Sequence, residues 1–163
     1  MHARAACRLE QLGYGPVYRY APGKADWRAA GLRTEGHGAG TLRAHHALTL
    51  DVAVCPIDAE VSDAAIAARA KGQSSCLVVN DEGVVLGRLR GRVLSLDDHQ
   101  PVQDVMEPGP TTIRPDDDLR ALTERLHRRN VPEVIVTDPD GRLIGVVFRD
   151  RADEAVASGG STQ

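Results

Sequence analysis

One arrangement of residues occurs twice in this chain and fixes most of what it can fold into. Cys76-Leu77-Val78-Val79, the turn Asn80-Asp81-Glu82-Gly83 and Val84-Val85-Leu86-Gly87-Arg88-Leu89 form the first copy. Val134-Ile135-Val136, the turn Asp138-Pro139-Asp140-Gly141 and Leu143-Ile144-Gly145-Val146-Val147 form the second. Branched apolar runs on either side of an Asp/Gly turn read as β-hairpins with buried strands. Gly83 matches Gly141 and Gly87 matches Gly145, both pairs 58 positions apart, while Pro56 matches Pro115 at 59. Unrelated hairpins rarely share such a register, so the pattern predicts tandem duplication of a small folding unit. The glycine inside each second strand marks a point where another backbone comes close.

A chain of 163 residues has room for one full core or two small ones, and the duplication favours two, packed in one globule about a pseudo-twofold axis. Charge adds little. A formal net charge of −3 gives no support to nucleic-acid or membrane-surface binding, which needs a basic field. The basic excess is confined to residues 1–45, with seven Lys/Arg against three Asp/Glu, and it is scattered enough to be solvated surface. Cys7, Cys55 and Cys76 have neither disulfide-framework nor metal spacing and are expected as buried free thiols in a reduced compartment. No run approaches the roughly 20 apolar residues of a membrane span, so the expectation is a soluble, cytoplasmic protein.

Taken in order, Ala5 to Gly13 predicts the end of a helix, Val17 to Tyr20 a strand, and Pro22-Gly23-Lys24 a turn before the single tryptophan, Trp27. Arg33 to Gly40 reads as a linker. His37, His45 and His46 lack the acidic or thiol partners of a metal site. In the first unit, Val52 to Cys55 predicts a strand ended by Pro56. Asp58 is expected to cap a helix to Lys71 with Val61, Ala65, Ile66 and Ala68 inward, and Arg90 to Leu96 to form a short second helix. In the second unit, Val102 to Met106 is a short helix, Pro108 to Pro110 a break and Thr111 to Ile113 a strand. Asp116 to Asp118 open a helix through Arg129 with Leu119, Leu122 and Leu126 inward. An Ala-rich helix follows Arg149-Asp150-Arg151, and the 158–163 tail is expected to be disordered.

RLEQLGYGPVYRY followed by APGKADWRAAGL resembles the closing segment of a rhodanese domain. Cys7 lies inside the predicted helix, without the electropositive loop that activates a catalytic thiol, so this segment (1–40 with its linker) implies a structural remnant. The repeat, DVMEPGPTTIRPDDDLRALTERLHRRNVPEVIVTDPDGRLIGVVFRD in its clearer copy, resembles a CBS domain. Two copies, at 46–98 and 99–157, resemble the CBS pair called a Bateman module. The implied fold is α+β, each unit β-α-β-β-α, with a short N-terminal α/β extension.

That resemblance implies a non-enzymatic regulatory module whose inter-unit clefts hold ATP, AMP or S-adenosylmethionine, and a homodimer. The helix stripes with Ala64, Ile66, Leu122 and Leu126 are expected to supply the dimer face. In the family a Thr or Ser after the hairpin and an Asp three residues later hold phosphate and ribose. Here Phe148 and Arg151 stand at those positions in the second unit, with Asp150 one residue early, and Arg90 and Val93 stand there in the first. Arginines are left to grip a phosphate or carboxylate bidentately, so a polyphosphorylated nucleotide or another small anion is expected and adenosine itself is not: Arg88, Arg90 and Arg92 on one strand face, Arg149 and Arg151 on the other unit. The candidate ligand-binding set is Arg88, Arg90, Thr112, Arg149, Asp150 and Arg151. A scaffold with empty clefts is the other reading, and no nucleophile with a base, metal cluster or P-loop points to an enzyme.

Overall fold

The computed structural model describes residues 2–18, 20, 23, 26–27, 32, 40–95 and 99–159. Its regular elements are α1 (His2–Gln11), β1 (Leu48–Thr49), β2 (Val54–Pro56), α2 (Val61–Ala70), β3 (Ser75–Val79), β4 (Val85–Arg90) and α3 (Val102–Val105). β5 (Glu107–Pro108), β6 (Thr112–Ile113), α4 (Leu119–Arg128), β7 (Glu133–Thr137), β8 (Leu143–Phe148) and α5 (Arg149–Gly159) complete it.

Both hairpins form as the sequence predicts. β3 pairs antiparallel with β4, and β7 with β8, each with a register shift at the same point, Val78/Val79 and Val136/Thr137. The turns are built alike. Asn80 Oδ1 accepts the N–H groups of Glu82 (3.1 Å) and Val84 (2.8 Å), and Asp138 Oδ1 those of Asp140 (2.9 Å) and Arg142 (2.8 Å). Gly83 and Gly141 follow at φ +77° and +85°, a conformation that a Cβ disfavours.

β2 runs parallel to β3 with α2 as the crossover, and β6 runs parallel to β7 with α4. The fourth strand of each sheet comes from the other repeat. β5, on the lead into the second unit, joins β4, whereas β1, on the lead into the first, joins β8. The exchange is reciprocal to the level of single hydrogen bonds. Leu119 donates to Leu42 O and Val61 to Gln100 O, both at 3.0 Å; Ala44 donates to Asp117 O and Val102 to Ala59 O, both at 2.9 Å. Ala44 and Ala47 accordingly sit in the second core, and Val102 in the first.

Three apolar clusters result. Val61, Ala64, Ala65 and Ala68 of α2 cover Cys76, Val78 and Leu89. Leu119, Leu122 and Leu126 of α4 cover Val134, Val136 and Val147. Between the sheets Val52, Leu77, Ile135 and Val146 pack with Val85, Leu143 and Phe148. Period-2 alternation explains the division: Leu77 and Ile135 face the partner sheet while their neighbours face their own helix.

Several expectations are corrected. Val17, Tyr18 and Tyr20 form no strand, and no neighbouring strand pairs with them among the described residues. α2 is capped at Glu60, without a side-chain cap bond, rather than at Asp58. Ile66 is 61% exposed, because the 3.6-residue period puts Ala64, Ala65 and Ala68 on the inner face with Val61. The first unit closes with a 3-10 turn, Gly91–Ser95, after Gly91 turns the chain at φ +61°. Arg92 therefore leaves the strand face shared by Arg88 and Arg90. Ala64, Leu122 and Leu126 fill their own cores and are unavailable as a dimer face. Cys7 is exposed on α1, and only Cys55 and Cys76 are buried. Ser158 and Gly159, expected in the tail, close α5 instead, Ser158 Oγ donating to Glu154 O at 2.8 Å. The expected turn at Lys24, most of the Arg33–Gly40 linker with His37, and residues 160–163 of the tail lie outside the described residues.

Candidate functional site

β4 ends on Arg88-Leu89-Arg90, with Leu89 buried and the two arginines on the opposite face. Across the ladder from Arg88 stands Glu107 of β5. Its carboxylate bridges both guanidinium groups, accepting from Arg90 Nε at 2.9 Å and Arg88 Nε at 3.0 Å. The bonds from Arg90 and then Arg88 hold the Glu107 carboxyl below the usual carboxylate range.

Arg88 also borders a cleft of about 140 Å³ between the units, lined by Thr111, Arg125, Leu126, Arg129, Val131, Glu133 and Val134 of the second. The local sequence positions each polar group. Thr111 leads into β6, and Arg125 and Arg129 lie one turn apart at the carboxyl end of α4, where cations complement the helix dipole. Glu133 opens β7. Arg149, first residue of α5, ties down the adjoining loop: its N–H donates to Pro132 O at 2.8 Å and its guanidinium to Asn130 Oδ1 at 3.2 Å.

The structure thus divides the expected residues. Arg88 and Arg90 stand together, with Arg149 behind the loop that walls the cleft. Thr112 pairs with Ile135 on β6, and it is the preceding Thr111 that lines the cleft. Asp150 is exposed in the first turn of α5. Arg151 borders a separate open groove of about 500 Å³ with His46, Leu48, Thr49 and Glu154, and it lies 3.8 Å from Glu154. Sequence reasoning missed Thr111, Arg125, Arg129 and Glu133 as a group. The one available signal was an acid, Glu133, at the head of an otherwise apolar strand.

At the positions 58 residues away the chemistry is not repeated: Val146, Ala67, Lys71 and Ser75 stand where Arg88, Arg125, Arg129 and Glu133 stand. Gln73 occupies that side, accepting the Ala53 N–H at 2.8 Å and donating to Asp51 O at 3.0 Å, and Lys71 pairs with Asp51. Among the described residues no group of His, Cys, Asp and Glu could hold a metal ion. His45 and His46 lie in a 3-10 turn with stacked rings, 4.1 Å between centroids; His46 Nδ1 accepts the Arg43 N–H at 3.0 Å. No described helix is long and apolar enough to cross a membrane.

Two β-α-β-β units with exchanged edge strands and a cleft between them define the CBS-pair fold, and solved structures agree. The CBS-pair protein CBSX2 from Arabidopsis thaliana matches with a TM-score of 0.66 at 19% identity, over 76% of this chain and 99% of that one. CBSX2 in complex with AMP matches at 0.58 and 21%, over 70% and 92%. The cytosolic domain of the Mg2+ channel MgtE in complex with ATP matches at 0.62 and 22%, over 71% of this chain and 50% of that one. The chain therefore spans about half the length of that domain. No curated protein matches in sequence. Residues 102–157 match the CBS domain family. The second unit is a CBS domain; the first and second units together have the fold of the CBS-pair structures, and the rhodanese-like segment lies outside the match.

Proposed function

We propose that this CBS pair is a non-enzymatic regulatory module that holds the phosphate end of a nucleotide, or another small anion, in the cleft at Arg88. One observation carries the reading: Arg88 of the first unit and Arg125 and Arg129 of the second converge on a single cleft. The complexes of MgtE with ATP and CBSX2 with AMP support the ligand class. A cleft of about 140 Å³ is smaller than the ~300 Å³ that a drug-sized ligand needs, so it fits part of a nucleotide, with the base outside. An anion gripped from both units favours packings that keep them together, and this differential affinity is what lets binding shift a conformational equilibrium.

ATP and AMP engage the arginines, whereas adenosine has no anion to offer them. Calorimetry is expected to detect ATP and AMP and not adenosine, with Arg88→Ala lowering ATP affinity by about one to two decades, the loss of a charge-assisted hydrogen bond. Adenosine binding as tightly as ATP, or an unchanged Arg88→Ala variant, overturns the reading. A ligand-free scaffold is the second reading, favoured by the pseudo-symmetric side, where Val146 and Lys71 stand in place of Arg88 and Arg129 and Lys71 pairs with Asp51; a thermal-shift panel of adenine nucleotides, S-adenosylmethionine and inorganic phosphates that moves nothing would support it.

A further inference from the structure

We infer that Glu107 is an internal competitor for the anion site: its carboxylate and a cleft-bound anion contend for Arg88, so that binding loosens β5, a strand exchanged between the units. This rests on the anion reading above and adds how occupancy of the cleft is passed to the rest of the chain.

Arg88 stands between two claims on its charge. It borders the cleft with Arg125 and Arg129, and its Nε donates to Glu107 Oε2 at 3.0 Å. The other Glu107 oxygen accepts from Arg90 Nε at 2.9 Å. One carboxylate of the chain thus gives the arginines of β4 what an external anion would give them. Arg125 and Arg129 have no ion pair among the described residues, so an anion lodged against them gains a third guanidinium by taking Arg88.

Exposure decides which partner prevails. The Arg88 side chain is 18% exposed and that of Glu107 48%. An anion in the cleft meets guanidinium groups that solvent screens little, whereas the released Glu107 carboxylate returns to water. An ion pair as exposed as this one shifts an equilibrium by no more than about fivefold, and three arginines around one anion exceed that.

The attachment of β5 gives the exchange a consequence. β5 is two residues long and lies opposite Gly87 and Arg88. Pro108 has no N–H to donate, and Gly109, just beyond it, donates to Leu86 O at 3.0 Å. With so few backbone bonds, the hold of β5 on β4 leans on the Glu107 ion pairs. By reciprocity, whatever draws β5 off β4 frees Arg88 and tightens the anion site.

The experiment is calorimetry on the full chain with inorganic triphosphate and ATP, using the native protein, Glu107→Gln, Arg88→Ala and the double variant. Glu107→Gln is expected to bind triphosphate about threefold or more tighter than the native protein, the scale of a partly exposed ion pair, and the gain should vanish in the Arg88→Ala background. Hydrogen exchange reads the strand: triphosphate should speed exchange at the Gly109 amide in the native protein and change it little in Glu107→Gln, where it is already fast. Weaker or unchanged binding by Glu107→Gln, with Arg88→Ala still weakening the native protein, means that Glu107 only orients Arg88; it overturns the competition and leaves the anion site standing. A gain that persists without Arg88 is the general effect of removing a negative charge and overturns it equally. Unchanged or slowed exchange at Gly109 on binding overturns the coupling to β5. No binding of triphosphate or ATP by any of the four proteins overturns the anion site itself, and this inference with it.

Discussion

Leu143 donates its backbone N–H to the carbonyl of Gly83 at 2.9 Å, and the pair 58 positions removed, Val85 to Gly141, returns the bond at 3.1 Å. Val84 and Arg142 form an antiparallel bridge between them. The two hairpins are thus joined across the pseudo-twofold axis by their own backbones, with Leu77, Ile135, Val85 and Leu143 packed beneath. A ligand held as proposed above, by Arg88 on one unit and Arg125 on the other, would act on a joint whose two halves are already in register.

The glycines of β4 and β8 serve the exchanged strands. A Cβ on Gly145 would lie 2.4 Å from Thr49 O, which is backbone, whereas a Cβ on Gly87 would first meet the movable Met106 Sδ at 2.5 Å and then Glu107 O at 3.0 Å. Gly145→Ala is expected to destabilise by about 1–3 kcal/mol, the range for overpacking, and Gly87→Ala by less. Urea unfolding of the two variants side by side checks the order.

Glu107 sets a pH dependence. Its carboxyl is held below the ordinary 4.5 in the folded protein by Arg90 and Arg88, so the stability it contributes is complete above that value. That stability is lost as pH falls through the lower folded value, because the unfolded chain takes up the proton first. The side chain is about half exposed, which limits the contribution to under about 1 kcal/mol. Glu107→Gln should lower the urea midpoint slightly at pH 7 and flatten its decline below pH 4.5, compared with the native protein.

Ile66 and Leu126 look alike in the sequence and differ in the fold, at 61% and 3% exposure. Ile66→Ser is expected within about 0.5 kcal/mol of the native stability, and Leu126→Ala is expected to cost about 2–5 kcal/mol by cavity formation. Denaturant midpoints that rank them the other way would mean that α2 packs by a different face.

The thiols should separate by accessibility. Cys7 is exposed, while Cys55 and Cys76 lie in the first core, where a hydrogen bond to Cys55 and burial push the Cys76 thiol up. A thiol-specific reagent is expected to modify Cys7 alone in the native protein and all three cysteines in denaturant; mass spectrometry of the native adducts identifies the site.

What the sequence alone determined is local and periodic. Apolar alternation and two Asp/Gly turns specified both hairpins, and the leucine spacing specified the buried face of α4. Gly83 with Gly141 and Gly87 with Gly145 disclosed the duplication, because a turn at positive φ and a close backbone approach each demand glycine. The exchange of β1 and β5 was beyond reach: two-residue strands carry no periodic signal, and Leu48-Thr49 shares no residue with Glu107-Pro108. The cleft followed the same rule. Arg88 was legible as a charge at a strand end, but only the packing of the second unit brought Arg125, Arg129 and Glu133 to it across about 40 positions of sequence, and only the exchanged strand set Glu107 against Arg88. A charged side chain's partners depend on which surfaces meet, and in this chain that is decided by the twofold joint between units rather than by neighbours in sequence.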